Sequence, residues 1–410
     1  MFSSVLAVPI YIVPVIIKNI TLDNLGNNIN LVFSLSKVSS SFFSAVSVAL
    51  VFLSLRQILP FKKSLIMSTI YALGTTTFSI SSQALWQHGA SQMFLATTIF
   101  FFLSGQKNKH QFAYCGFTLG LATLCRFPNL FIALLFFFYM LIFERKNVLG
   151  FIIYTIPPLI FFFWYQLTYP GELLFYKYEA VGEIAKFNNS LIEGFLGLLI
   201  SPNKGIFIYS PIFLLSIWGI GLSWTKKIRP LMFFSLVVIL YMAFLAKWNV
   251  WHGSWSYGPR MLADITPFLT ILIAPVINNP IVWHNYKFKI LFVLISTFSI
   301  FVHFLGASTA DFSWYSMQTM FLSPEQTQNA NIIWNWHYPE IYYFYFKAGG
   351  FFGVARIFSF QILKIDPFLI KGAILMLFSY LVVVKIFNTL IAIKTSLKKT
   401  RGSTKKKEHN

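Results

Sequence analysis

The chain has 410 residues, of which 57% are hydrophobic, 19% aromatic and 11% charged, whereas a soluble globular domain carries roughly 25% charged residues. With 48 Phe and a mean hydropathy of +0.68, this excludes an ordinary soluble domain and points to a polytopic membrane protein, where lipid replaces water around most side chains. The net charge of +20 would indicate nucleic acid in a soluble protein; in a membrane protein, basic cytoplasmic loops account for it and no nucleic-acid partner is expected.

Apolar runs lie near 4–17, 38–55, 64–82, 91–105, 112–125, 129–143, 148–169, 205–223, 230–246, 262–278, 289–306 and 369–391. A helical span needs about 20 apolar residues, so these predict about ten to twelve transmembrane or re-entrant helices. Continuous blocks such as 131–138 lack the alternation of a β-barrel strand, and the expected fold class is all-α. The reading is one integral membrane domain over 1–391 and a basic, disordered tail over 392–410 that holds Lys398, Lys399, Arg401, Lys405, Lys406 and Lys407. Alternating the spans places Arg56, Lys62, Lys63, Lys107, Lys109, Arg145, Lys146, Lys226, Lys227, Arg229, Lys287 and Lys289 on the same side as this tail, which the positive-inside rule makes cytoplasmic. The opposite surface then consists of 18–37, 83–90, 126–129 and the loops 170–204, 247–261 and 307–368. The last is rich in aromatics, among them Trp314, Tyr315, Trp334, Trp336 and Tyr342, which read either as interfacial anchors or as a platform for carbohydrate or lipid headgroups. The two cysteines, Cys115 and Cys125, are too few for a disulfide framework or a cysteine zinc site.

The residues that could carry chemistry gather on that opposite face. The segment 247–264 contains Trp248, Trp251, His252, Trp255, Tyr257, the turn Gly258-Pro259, then Arg260 and Asp264. Pro at a helix start leaves neighbouring N–H groups free, and an arginine beside that positive end favours an anion such as phosphate. Pairing of Arg260 with Asp264 one turn later is the structural alternative. Arg126, at the end of an apolar run, reads as a second phosphate ligand or as a cation snorkelling to headgroups. Lys204, in Ser201-Pro202-Asn203-Lys204-Gly205, could meet phosphate as a point charge. Trp86, Gln87 and His88 form a further polar piece on the sugar or acceptor side, where a histidine serves as a base or as a structural hydrogen-bond partner. No His and carboxylate fall at ligand spacing, so no metal is assigned and no cofactor is evident, with a divalent ion unsupported by the sequence. Phosphate-binding loop, serine-hydrolase and zinc-protease motifs are missing from the sequence.

The stretches Ala72-Leu73-Gly74-Thr75, Gln83-Ala84-Leu85-Trp86-Gln87-His88-Gly89, Ser201-Pro202-Asn203-Lys204-Gly205, Tyr209-Ser210-Pro211 and 251–260 resemble bacterial multispanning glycosyltransferase-like proteins of the GT-C superfamily, over roughly residues 4–345. The resemblance implies a multi-pass bacterial inner- or plasma-membrane enzyme. It would move a hexosyl or pentosyl unit from a polyprenyl-phosphate donor to a glycan, lipid or protein acceptor on the extracytoplasmic face. Arg126, Lys204 and Arg260 would then hold the donor phosphate, and Trp86, Gln87, His88, Trp251, His252, Trp255 and Tyr257 would line the sugar or acceptor side. Enzymes of this superfamily begin with a helix and an outer loop bearing an acidic base, whereas the opening of this chain resembles the region after that loop. Asp23, Glu172, Glu179 and Asp264 are the substitutes for the base. The alternatives are a lipid-linked oligosaccharide flippase or transporter, and an inactive truncated paralogue.

Overall fold

The computed structural model describes residues 2–17, 28–169, 186–253, 256–311, 313–321 and 332–363, and among these it is helical without a strand. The chain divides into two compact units, Met1–Ala355 and Arg356–Asn410, and the helices from Phe2 to Lys347, together with the cavities, belong to the first. The expected span 369–391 and the expected boundary at 391/392 lie outside the described residues.

Helices α1 (Phe2–Ile17), α2 (Ile29–Leu55), α3 (Phe61–Leu73), α4 (Gln87–Gly105), α5 (Gln111–Cys125), α6 (Asn129–Phe143) and α7 (Val148–Thr168) follow the predicted apolar runs. After them come α8 (Leu191–Ile200), α9 (Leu214–Thr225), α10 (Arg229–Ala246), α11 (Thr266–Leu272), α12 (Ala274–Asn278), α13 (Tyr286–Thr309), α14 (Ser313–Phe321) and α15 (Glu340–Lys347). Among the described residues, five segments are long and apolar enough to cross a membrane: Ile29–Leu55, Arg145–Thr168, Arg229–Ala246, Arg260–Asn278 and Tyr286–Thr309. The protein is thus an all-α, polytopic membrane protein.

The structure departs from the apolar runs where polar or small residues interrupt them. The run 64–82 breaks at Gly74, the C-cap of α3, and resumes as a π-helical turn, Thr77–Ser81. There the Thr75 hydroxyl donates to the Tyr71 carbonyl at 2.7 Å, one of the side-chain insertions that disturb a helical ladder. The run 205–223 breaks at Ser210-Pro211, and Pro211 opens a fresh helical turn, where its missing N–H costs no hydrogen bond. The expected outer segments are partly helical: α2 begins at Ile29, inside 18–37, α4 begins at Gln87, inside 83–90, α8 lies within 170–204, and α14 and α15 lie within 307–368.

Close crossings rest on small residues, as lipid offers no hydrophobic drive for helices to associate. Gly116 and Gly120 bring α5 against Phe151 and Pro158 of α7, and a β-carbon on Gly120 would stand 2.7 Å from the Pro158 ring. A ladder of buried serines on α2 (Ser40, Ser44 and Ser47) faces the bundle, with Ser47 sharing a 2.8 Å hydrogen bond with Tyr71. The centre is aromatic: the rings of Phe102, Phe136, Phe233, Phe234 and Phe268 interlock across α4, α6, α10 and α11.

The bundle has two chemically different ends. At one, the Lys63 ammonium donates to Ile277 O at 2.7 Å and sits over Trp283, and Lys109 pairs with Glu144. The first contact joins α3 to α12, and the second joins the loops that follow α4 and α6. The opposite ends of α4, α5, α7 and α10 converge on Trp86, Arg126, Gln166, Trp248 and Arg260.

Candidate active site

A cavity of about 410 Å³ opens at this second end. Its polar wall comes from the first turn of α4 (Gln87 and His88, with Trp86 as N-cap residue), from Arg126 just beyond α5, and from Arg260. Its apolar wall comes from Phe2 and Val5 of α1 and from Phe161 and Phe162 of α7. Along most of its length α7 turns outward: Ile160, Phe163 and Trp164 are exposed.

Arg260 is presented by a turn that requires glycine. Gly258 has φ of 59°, and a β-carbon there would also meet the Tyr209 ring at 2.7 Å. Pro259 then starts the 3-10 segment Arg260–Ile265. The Arg260 guanidinium donates to Gly253 O at 2.7 Å and lies 4.7 Å over the Trp86 ring, leaving its buried Nε without a hydrogen-bond acceptor. This is a cation held in place by stacking and one carbonyl, with donor capacity to spare.

Asp264 does not pair with Arg260. Its carboxylate, fully buried, is bound by Arg126, by the Ser91 hydroxyl at 2.7 Å and by the Tyr241 hydroxyl at 3.1 Å. His88 Nδ1 is 3.8 Å away, and Asn129 donates to Ser91 at 2.7 Å, closing the cluster. Asp264 therefore serves as the counter-ion of Arg126, and most of the Arg126 charge is spent inside the protein. Arg126 is only 5% exposed, so it does not snorkel.

Lys204 lies elsewhere. It is 2% exposed, pairs with Glu340 at 3.6 Å, donates to Ser256 O and faces the Trp314 ring. The same Glu340 oxygen accepts from Tyr209 at 2.7 Å and from Gly258 N at 2.8 Å. Asn203 beside it accepts from Glu340 N at 2.6 Å and donates to Ile332 O. Burial holds the Lys204 ammonium below, and the Glu340 carboxyl above, their usual ranges. The pair clamps the segment 332–347 to the turn that carries Arg260.

The other expected residues divide between the cavity and the core. Trp86, Gln87 and His88 line the cavity, as do Arg126 and Arg260. Trp251, 3% exposed, is seated on Gly197 of α8 and belongs to the core. The hydroxyl of Tyr257 donates to Val302 O at 2.9 Å while its ring packs on Tyr209 and Phe344. His252 is 5% exposed beside Trp251, and burial with Lys204 and Arg260 nearby lowers its pKa to about 3, so it is neutral at physiological pH. Asp23, Glu172, Glu179 and Trp255 lie outside the described residues. Among the described residues no three His, Cys, Asp or Glu side chains converge on a metal position.

A second cavity of about 380 Å³ lies on the other side of Trp86, lined by Ser79, Gln83, Ser256, Tyr257 and Asp311 among others. Trp86 is 42% exposed and walls both cavities. The residues that sequence reasoning missed (Ser91, Asn129, Tyr241, Glu340 and Asp311) sit far apart along the chain; only Ser91, three residues after His88, shared a helical face with a residue already singled out. Compared with known proteins, the chain matches no family model, no curated protein and no solved structure.

Proposed function

We propose that the protein is a membrane-embedded glycosyltransferase of the GT-C type, taking a sugar from a polyprenyl-phosphate donor in the larger cavity. The observation that carries this is the composition of that cavity: Arg126 and an arginine stacked on Trp86 on one wall, the half-buried rings of Phe161 and Phe162 from a lipid-facing helix on the other. A ligand with an anionic head and an apolar tail fits both walls. Arg260 would stabilise the charge that develops on the phosphate as the sugar leaves, an interaction that is strongest where water is excluded. His88 and Gln87 would face the sugar, and an acceptor would approach through the second cavity across the Trp86 ring. Twelve Lys and Arg side chains fall in the loops and first helical turns of the opposite end, and the positive-inside rule supports an extracytoplasmic position for the cavities.

The aromatic layer of Phe102, Phe136, Phe234 and Phe268 lies toward the basic end from Asp264 and favours transfer at one face over passage of a carrier-linked substrate through the bundle. The test is the release of polyprenyl phosphate from polyprenyl-phosphate sugars by the protein in lipid nanodiscs, supplied with envelope acceptors. Arg260→Gln should reduce the rate by about 10²–10³, the cost of removing one preorganised charge-stabilising donor. Absence of release with every donor sugar tried, or an Arg260→Gln rate equal to wild type, would overturn the proposal.

A further inference from the structure

The basic end carries a cavity of its own, about 310 Å³ in volume, where four loops meet. Lys107 and Lys226 line it together with Gln57, Gln106, Asn278 and Asn279; the Gln57 amide also donates to Ser104 at 3.1 Å, that of Gln106 to Phe102 O at 3.3 Å, and Asn279 Oδ1 accepts from Ile281 N at 3.1 Å. Its remaining wall is apolar, with Ile58, Leu103, Leu231 and Pro275. No carboxylate lines it, and among the described residues neither lysine has an ion-pair partner. Lys227, next to Lys226, has φ of 52° as the left-handed residue of the α9 C-cap, where Ile228 N donates to Ser223 O at 2.9 Å and Lys227 N to Trp224 O at 3.2 Å.

Helix ends alone account for part of this charge. Lys107 follows α4 and Lys226 follows α9, and a cation after a helix C-terminus offsets the dipole. The dipole does not account for two lysines and four amide-bearing residues around one concave space with an apolar floor. Amides and ammonium groups together match the oxygens of a phosphate, and the apolar floor matches the glycerol and first methylenes of a phospholipid.

We propose that this cavity is a specific binding site for a phosphate group, that of an anionic glycerophospholipid of the adjoining leaflet. The site is independent of the transferase reading. The experiment uses the full chain in detergent micelles, with short-chain phosphatidylglycerol, phosphatidylcholine and inorganic phosphate as probes, and bound molecules counted by native mass spectrometry. Lys107→Gln/Lys226→Gln is compared with Lys287→Gln/Lys289→Gln, which removes equal charge from the same end outside the cavity.

One phosphatidylglycerol should bind saturably in preference to phosphatidylcholine. Its affinity should fall roughly tenfold or more in the cavity pair and stay near wild type in the distal pair, given the attraction of each lysine to an anionic surface. Resistance of the bound lipid to millimolar inorganic phosphate identifies the lipid as the source of the group. Displacement by inorganic phosphate keeps the site and identifies a soluble phosphate compound as its source. Equal losses in the two charge-matched pairs, or the absence of saturable binding, would overturn the proposal in favour of diffuse attraction. All four lysines are exposed, so the variants should fold; an unchanged unfolding temperature confirms this.

Discussion

Lys204 offers the sharpest test of this structure, because the sequence made it a phosphate ligand and the fold makes it the partner of Glu340. Both side chains are almost fully buried, at 2% and 5% exposure. Lys204→Met leaves a buried carboxylate that keeps only the Tyr209 and Gly258 donors, and Glu340→Gln leaves a buried ammonium with Ser256 O. Breaking a buried pair from one side costs about 3–5 kcal/mol, whereas replacing both partners is close to neutral. Each single variant should therefore be severely destabilised, and Lys204→Met/Glu340→Gln should return to within about 1–2 kcal/mol of wild type. The pH dependence has a definite sign. Burial already raises the Glu340 pKa, and loss of Lys204 raises it further. A carboxyl whose folded pKa exceeds the unfolded value of about 4.3 contributes stability that is complete below that value and lost as pH rises through the folded pKa. The Lys204→Met deficit should thus be smallest in acid and grow toward neutrality, by up to about 1.4 kcal/mol per pH unit while the carboxyl is protonated in the fold. Unfolding in a mixed-micelle denaturant titration, followed by circular dichroism at about pH 5 and pH 7, measures it. A Lys204→Met protein as stable as wild type at neutral pH but defective in donor release would refute the structural assignment and restore Lys204 to the phosphate.

Arg126→Met should cost a similar 3–5 kcal/mol by leaving Asp264 unpaired, with Arg126→Met/Asp264→Asn largely rescued; the readout is the temperature at which the buried thiols of Cys115 and Cys125 become reactive. Gly197→Ala drives a methyl group into the Trp251 indole and should destabilise by about 1–3 kcal/mol in the same assay, with partial relief from Trp251→Phe. His252, with its pKa lowered to about 3, contributes stability that is present above the unfolded value of about 6.5 and lost as pH falls. His252→Gln should therefore flatten the acid limb of the stability curve below about pH 6, as seen by the same circular-dichroism titration. Trp86→Ala should weaken retention of a polyprenyl-phosphate analogue, with Trp86→Phe intermediate, as measured by photocrosslinking into the larger cavity.

Composition and local runs of residues made part of this protein legible in its sequence. The absence of charge from long segments determined the membrane class and the all-α fold, because hydrocarbon admits only backbone that satisfies its own hydrogen bonds. The same local logic located α2, α6, α7, α10 and α13, and it singled out Trp86, His88, Arg126 and Arg260, which meet at one cavity. It failed where polar residues had partners far along the chain. Arg126 looked like an available cation because Asp264 is 138 residues away, and Lys204 looked available because Glu340 lies 136 positions on in a segment read as loop. Trp251 looked like a sugar-facing aromatic until Gly197 gave it a buried seat, whereas Tyr257, hydrogen-bonded to the Val302 carbonyl of α13, lines the second cavity and not the larger one. A charge in sequence carries no record of its counter-ion. Only the packing of α4, α5, α10 and the 260–265 turn decided that Arg126 is neutralised within the protein while Arg260, stacked on Trp86, keeps a donor for something else.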